Sequence, residues 1–203
     1  AHLKMILLPM KLYLTPFIRM HPIRFFIIAF LGWLYEVLLM LTLYGEYYDR
    51  GFLTLPFCPI YGGVVCCLYL LVGTPKEGWF ARWLEKLGTR KGWHVWVVRI
   101  FRYLGYFVIS MLFATIGELV IGLIFESLGC SLWSYTMFPC NYKGLICLPV
   151  SLFWGLMITL VMRYPFEWLL RALEKVPRTI AVAVSIVLAV VLMVDFVFCL
   201  MRL

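Results

Sequence analysis

Polar positions are so sparse along this chain that they divide it into five apolar runs: Phe25–Tyr44, Phe52–Val72, Tyr103–Phe125, Leu145–Met162 and Thr179–Met201. Each is close to the ~20 residues an α-helix needs to cross a hydrocarbon core of about 30 Å. The pattern therefore predicts an all-α integral membrane protein with five transmembrane helices. Single acids interrupt three runs (Glu36, Glu118 and Asp195), and the other two hold no charge. The first 22 residues are apolar as well, but Lys4, Lys11 and Arg19 break them, as do Pro9, Pro16 and Pro22. That piece reads as an interfacial lead-in, without the small-residue cleavage site of a signal peptide.

The pattern repeats. Arg50 to Gly62 reads RGFLTLPFCPIYG, and Lys143 to Gly155 reads KGLICLPVSLFWG. At a shift of 93 positions Gly51, Leu55, Pro56 and Gly62 fall on Gly144, Leu148, Pro149 and Gly155, and Tyr61 falls on Trp154. Glu36 in GWLYEVLLM aligns with Glu118 in TIGELVIGL. After the second run comes GWFARWLEKLG, and after the fourth PFEWLLRALEKVP. Both place apolar residues at helical spacing with charges opposite, which predicts two amphipathic helices lying on the membrane surface. The plan is a single membrane domain over residues 1–203: lead-in 1–22, repeat one 23–88, repeat two 103–176 and an extra helix 179–201. Two spans per unit make the repeats parallel, related by a pseudo-twofold axis along the membrane normal. Chance likeness between short apolar segments is the alternative. Pro56 and Pro149 stand about four residues inside their runs. Proline suits only the first turn of a helix, so both runs are expected to start irregularly or to kink.

Composition confirms the setting and fixes a direction. The chain is 65% hydrophobic and 14% charged, with a mean hydropathy of +0.98, whereas soluble domains are about a quarter charged. Of 18 Lys and Arg, only Arg50, Lys143 and Arg202 fall outside the stretches before the first run, from Lys76 to Arg102 and from Arg163 to Arg178. This bias predicts a cytoplasmic amino terminus and an external carboxyl terminus in the cell membrane. The net charge of +8 is thereby topology and headgroup attraction, not a nucleic-acid surface. Cys130 and Cys140 share the second outer loop, where an oxidising compartment permits a bridge. The other cysteines pack in or near apolar runs, His2, His21 and His94 are scattered, and neither a metal site nor a cofactor is expected.

The chemistry lies in the acids. A carboxylate at bilayer depth costs roughly 2.5–3.5 kcal/mol on insertion scales. Glu36 and Glu118 sit on the order of 10–12 Å below the outer ends of their runs. They are expected to floor an outward-facing polar cavity with Arg50 and Lys143 at its rim. Tyr35, Tyr61, Trp133, Tyr135, Asn141 and Asp195 complete the candidate binding set. Two close carboxyls would raise one pKa and permit proton coupling. The bland alternative is that each acid only fixes helix packing.

Gly32-Trp33-x-Tyr35-Glu36, Arg50-Gly51-Phe52 with Pro59-Ile60-Tyr61-Gly62, Glu118 with Glu126, Trp133-x-Tyr135, and Asn141-x-x-Gly144 leading to Ser151-x-x-Trp154-Gly155 together resemble the type IV ABC-transporter membrane family. That family usually has Trp-Asp-Tyr where this chain has Trp133-Ser134-Tyr135. The resemblance implies a permease-like component. No G-x-x-x-x-G-K-[ST] loop occurs, so ATP-driven transport would need a separate cytoplasmic ATPase subunit, docking on Trp79–Leu87 and Phe166–Val176. Membrane lipids are expected partners, and a homo-oligomer is left open. Two other classes remain. One is a membrane-embedded enzyme acting on outer-leaflet lipid, for which no nucleophile motif speaks. The other is an accessory scaffold.

Overall fold

The structure is a computed structural model that describes residues 22–47 and 51–202; Arg50 and most of the expected lead-in lie outside the described residues. Among them are seven helices: α1 (Ile23–Tyr44), α2 (Pro59–Leu71), α3 (Trp79–Lys91), α4 (Val95–Ser127), α5 (Leu148–Arg163), α6 (Pro165–Leu173) and α7 (Arg178–Leu200). A two-residue antiparallel pair, Asn141↔Cys147 and Tyr142↔Ile146, precedes α5.

Helices α1, α4 and α7 are each long and apolar enough to cross a membrane, and α5 with α6 forms a fourth such unit bent by 42°. The expected span Phe52–Val72 is helical only over the 13 residues of α2. At 1.5 Å per residue that is about 20 Å, short of a ~30 Å core. Proline is the cause. Pro59 occupies the first turn of α2, where its missing N–H is not needed. Pro56, three residues earlier, stays in a bent, non-helical stretch. Pro149 differs, because it stands in the first turn of α5 itself.

Irregular backbone at such depth must be met by protein or by water. Here the protein meets it. The Cys58 N–H donates to the Ala29 carbonyl of α1 at 3.0 Å, and the Phe57 N–H to Leu55 at 2.7 Å. The Leu55 N–H donates to Asp195 Oδ2 of α7 at 3.0 Å, and the Thr54 hydroxyl donates to the same carboxylate. The 51–58 stretch is thereby pinned between α1 and α7.

The most extensive pairings join α4 to α5 and α1 to α2. Without a hydrophobic force between helices in lipid, close approach decides such contacts. Glycine supplies it in both pairings. A Cβ added at Gly62 would meet the Phe25 carbonyl at 2.6 Å, and one at Gly155 would meet Met111 Cβ at 2.8 Å and the Phe107 ring at 3.1 Å.

At 33 residues α4 is about 50 Å long, some 20 Å more than the hydrocarbon core. Its first turns are partnered by α3. Gly88 abuts Val98, Phe80 abuts Gly105, and Arg102 pairs with Glu85. Helix α3 buries Ala81 and Leu84 and leaves Trp79 and Trp83 exposed. Lys76 Nζ reaches Glu167 of α6 at 2.6 Å. Tyr106, fully buried, donates its hydroxyl to the Gly73 carbonyl at 2.8 Å, closing the end of α2. Cys130 and Cys140 are not bridged.

Candidate functional site

A cavity of about 510 Å³ lies between α1, α2, α4 and α5, continues along α6 and reaches the 51–53 and 132–135 loops. Glu36 and Glu118 both line it, with Tyr35, Tyr61, Trp133, Tyr135 and Trp154. Local structure explains each placement. Glu36 and Gly32 lie four residues apart on one face of α1. That glycine lets Tyr61 of α2 lie flat against the helix, since an added Cβ would come within 2.4 Å of Tyr61 Cγ. Tyr61 can then donate its hydroxyl to Glu36.

Glu118 is buried on α4, and its Oε1 accepts two bonds, from Tyr135 Oη at 3.0 Å and from Trp154 Nε1 at 3.1 Å. Tyr135 comes from the loop between α4 and α5, which is built to deliver it. The Tyr135 N–H donates to Gly144 at 2.8 Å, and the neighbouring Trp133 Nε1 donates to Leu145 at 2.9 Å. The Asn141 amide donates to Phe138 at 2.8 Å, while its Oδ1 accepts from the Gly144 N–H at 3.2 Å. Burial, and then the adjoining Glu118 carboxylate, push the Tyr135 phenol above its ordinary range, so it stays a donor at any physiological pH. Trp154 stacks edge-on against Tyr61 and Tyr35, with ring centroids at 5.3 Å and 6.0 Å.

The second oxygen of Glu118, Oε2, is buried with no hydrogen-bond partner among the described residues. An unmet buried polar group costs roughly 1–3 kcal/mol, more when it is charged. Such an oxygen invites a proton, a cation or a donor.

The expected site residues separate into two sets. Glu36, Glu118, Tyr35, Tyr61, Trp133 and Tyr135 share the cavity. Asn141 is spent on the loop, and Asp195 holds the 51–58 stretch. Lys143 adopts a left-handed backbone (φ 52°) and lines a second, smaller cavity of about 90 Å³ with Glu126. The walls of the large cavity are chiefly apolar rather than polar. Trp154 is the residue missing from the candidate set, although its alignment with Tyr61 pointed to it. Among the described residues no group of three or more His, Cys, Asp and Glu side chains could hold a metal.

Residues 23–200 match the family model described as Putative ABC-transporter type IV. The chain belongs to this family. The match of this type IV family member begins with the first residue of α1 and ends with the last of α7, so every helix around the cavity falls inside it. It is a multi-pass membrane protein of the transporter class. No curated protein and no solved structure gives a significant match.

Proposed function

We propose that the chain is the permease-type membrane component of a transporter, binding a small solute or lipid headgroup in the cavity, with Glu36 and Glu118 as its proton or cation sites. One observation carries this reading: both carboxylates line one cavity, and each is held by an aromatic donor of the helix that follows it, Tyr61 for Glu36 and Trp154 for Glu118. Tyr61 and Trp154 correspond under the 93-residue shift, as do Gly62 and Gly155, while Glu36 and Glu118 align one helix earlier at a shift of 82. Gly62 and Gly155 also pack on Phe25 and Phe107, each on the preceding long helix of its own unit. This agreement supports a duplicated pair of units with the cavity at their interface. Residues 51–58 with α2 would then make one crossing, α7 the last, and the basic bias favours a cytoplasmic amino terminus and an external carboxyl terminus.

Energy would come from a separate ATPase subunit, because this chain has no phosphate-cradling loop. Helices α6 and α3, with the turn before α3 tied to α6 through Lys76 and Glu167, are the surface offered to it. The test is complementation of cells that depend on the chain. Glu36→Gln and Glu118→Gln should insert at wild-type levels and fail to restore function. Full rescue by the double variant would reduce the acids to packing and leave a scaffold.

A further inference from the structure

We propose that the ligand of this cavity is a long-chain amphiphile with a protonated amine headgroup, its ammonium on Glu118 and its chain lying along α5. This rests on the reading of the cavity as a ligand site and names the ligand's chemistry.

The charge of the walls selects the headgroup. Among the described lining residues there are two carboxylates and neither a Lys nor an Arg. An anionic headgroup would meet repulsion here with no described cation to offset it. A cation is drawn both by the carboxylates and by ring faces, since aromatic quadrupoles attract positive charge. Tyr35, Tyr61, Trp133, Tyr135 and Trp154 supply those rings. Glu118 Oε2 then narrows the choice. It is an acceptor 92% buried by residue, unmet within the described protein, while Oε1 is saturated by Tyr135 and Trp154. An amine that keeps its N–H groups meets that oxygen as donor and as charge together. A quaternary ammonium offers the charge alone, and an alcohol the donor alone.

The shape selects the chain. All the carboxylates, tyrosines and tryptophans named above cluster at one end of the cavity. Beyond Trp154 the wall continues over Met157, Ile158, Val161 and Pro165 to Trp168 and Leu169. Pro165 lies eleven positions beyond Trp154, a rise of about 16 Å at 1.5 Å each along α5 to the start of α6. No carboxylate, amide or basic side chain lines that length. A small polar solute would leave it unfilled, whereas an alkyl chain removes its apolar surface from contact with water.

The experiment titrates purified protein in lipid nanodiscs with dodecylamine, dodecyltrimethylammonium, dodecanol, dodecanoate and ethylamine, following tryptophan fluorescence. Wild type and Glu118→Gln are compared at each lipid load, so that partition into the bilayer cancels. Dodecylamine should saturate wild type, bind at least tenfold tighter than each of the other four, and lose at least tenfold in Glu118→Gln. Met157→Trp, which narrows the chain slot but leaves the carboxylate, should weaken dodecylamine and leave the weak ethylamine response unchanged. It keeps the test open if Glu118→Gln folds poorly. Dodecanoate binding as tightly as dodecylamine, or dodecylamine indifferent to both substitutions, would overturn the proposal. If dodecylamine fails while Glu118→Gln still fails complementation, the amphiphile is wrong and the transport reading stands. Complementation by the glutamine variants would remove the reading itself.

Discussion

Replacing Asp195 with alanine should loosen the non-helical stretch that precedes α2. Its carboxylate accepts the Leu55 N–H at 3.0 Å and the Thr54 hydroxyl, joining residues about 140 positions apart in the chain. Interhelical hydrogen bonds in membranes contribute about 0.6 kcal/mol on average and up to about 1.7. Two of them sum to roughly 1–3 kcal/mol. The half-buried Leu55 N–H is left without this acceptor, which adds part of the penalty of an unmet donor, so Asp195→Ala should cost about 2–4 kcal/mol. Thr54→Val removes one bond and should cost about 1 kcal/mol. Asp195→Asn keeps a carbonyl for Leu55 and turns an amide N–H toward Thr54, whose hydroxyl can accept as readily as donate. It should cost less than about 1 kcal/mol. Unfolding in bicelles, followed by circular dichroism against added dodecyl sulfate, measures all three variants and the Thr54→Val, Asp195→Ala double variant. The two single changes should be coupled by about 0.5–1.5 kcal/mol. An Asp195→Ala protein within about 0.5 kcal/mol of wild type would refute the anchoring argument. Asn as costly as Ala would show that charge, not hydrogen bonding, holds the stretch.

Other expectations follow from the same geometry. Gly32→Ala places a methyl against the base of the Tyr61 side chain, so it should destabilise by about 1–3 kcal/mol and shift the Tyr61–Glu36 bond in the carboxylate infrared bands. Tyr106→Phe removes the hydroxyl of a fully buried ring and leaves the half-buried Gly73 carbonyl without that donor, and should cost about 0.5–1.5 kcal/mol in the same unfolding assay. Lys76→Ala breaks a partly exposed ion pair with Glu167, and its cost should stay below about 1 kcal/mol and vanish in high salt.

Much of this fold is legible in the hydropathy pattern, because a helix in lipid must be apolar on nearly every side. The boundaries of α1, α5 and α7 follow their runs within a few residues. The run Phe52–Val72 misleads for a physical reason: side-chain hydropathy records where residues sit, not whether their backbone bonds are helical. The prolines at 56 and 59 carried that information, and only contacts from Ala29 and Asp195 made a non-helical path affordable. Helix α6, expected to lie on the membrane surface, follows α5 directly after a 42° bend. The pairing of Glu36 with Tyr61 was approachable from the repeat, and that of Glu118 with Trp154 was readable from the same alignment. The fate of Asn141 and Lys143 was not. It depends on left-handed residues at 140, 143 and 144 that fold the loop back on itself, and no periodicity records such turns.

Helix α4 passes from Val95 to Ser127 without a proline or a break. Glu118 therefore rides on the same stiff rod as Val98, Arg102 and Gly105, the residues that α3 grips about 20–30 Å away along the axis. The hairpin of α3 and α4 holds one end of this rod, and Glu118 stands in the cavity wall on the other side of its midpoint. A tilt of the hairpin by some 10° about a pivot midway along that rod would swing Glu118 by about 2 Å. A swing directed away from Tyr135 and Trp154 would carry bonds of 3.0 Å and 3.1 Å beyond hydrogen-bonding range, so a tilt of the hairpin would be felt as a change in what the carboxylate can hold.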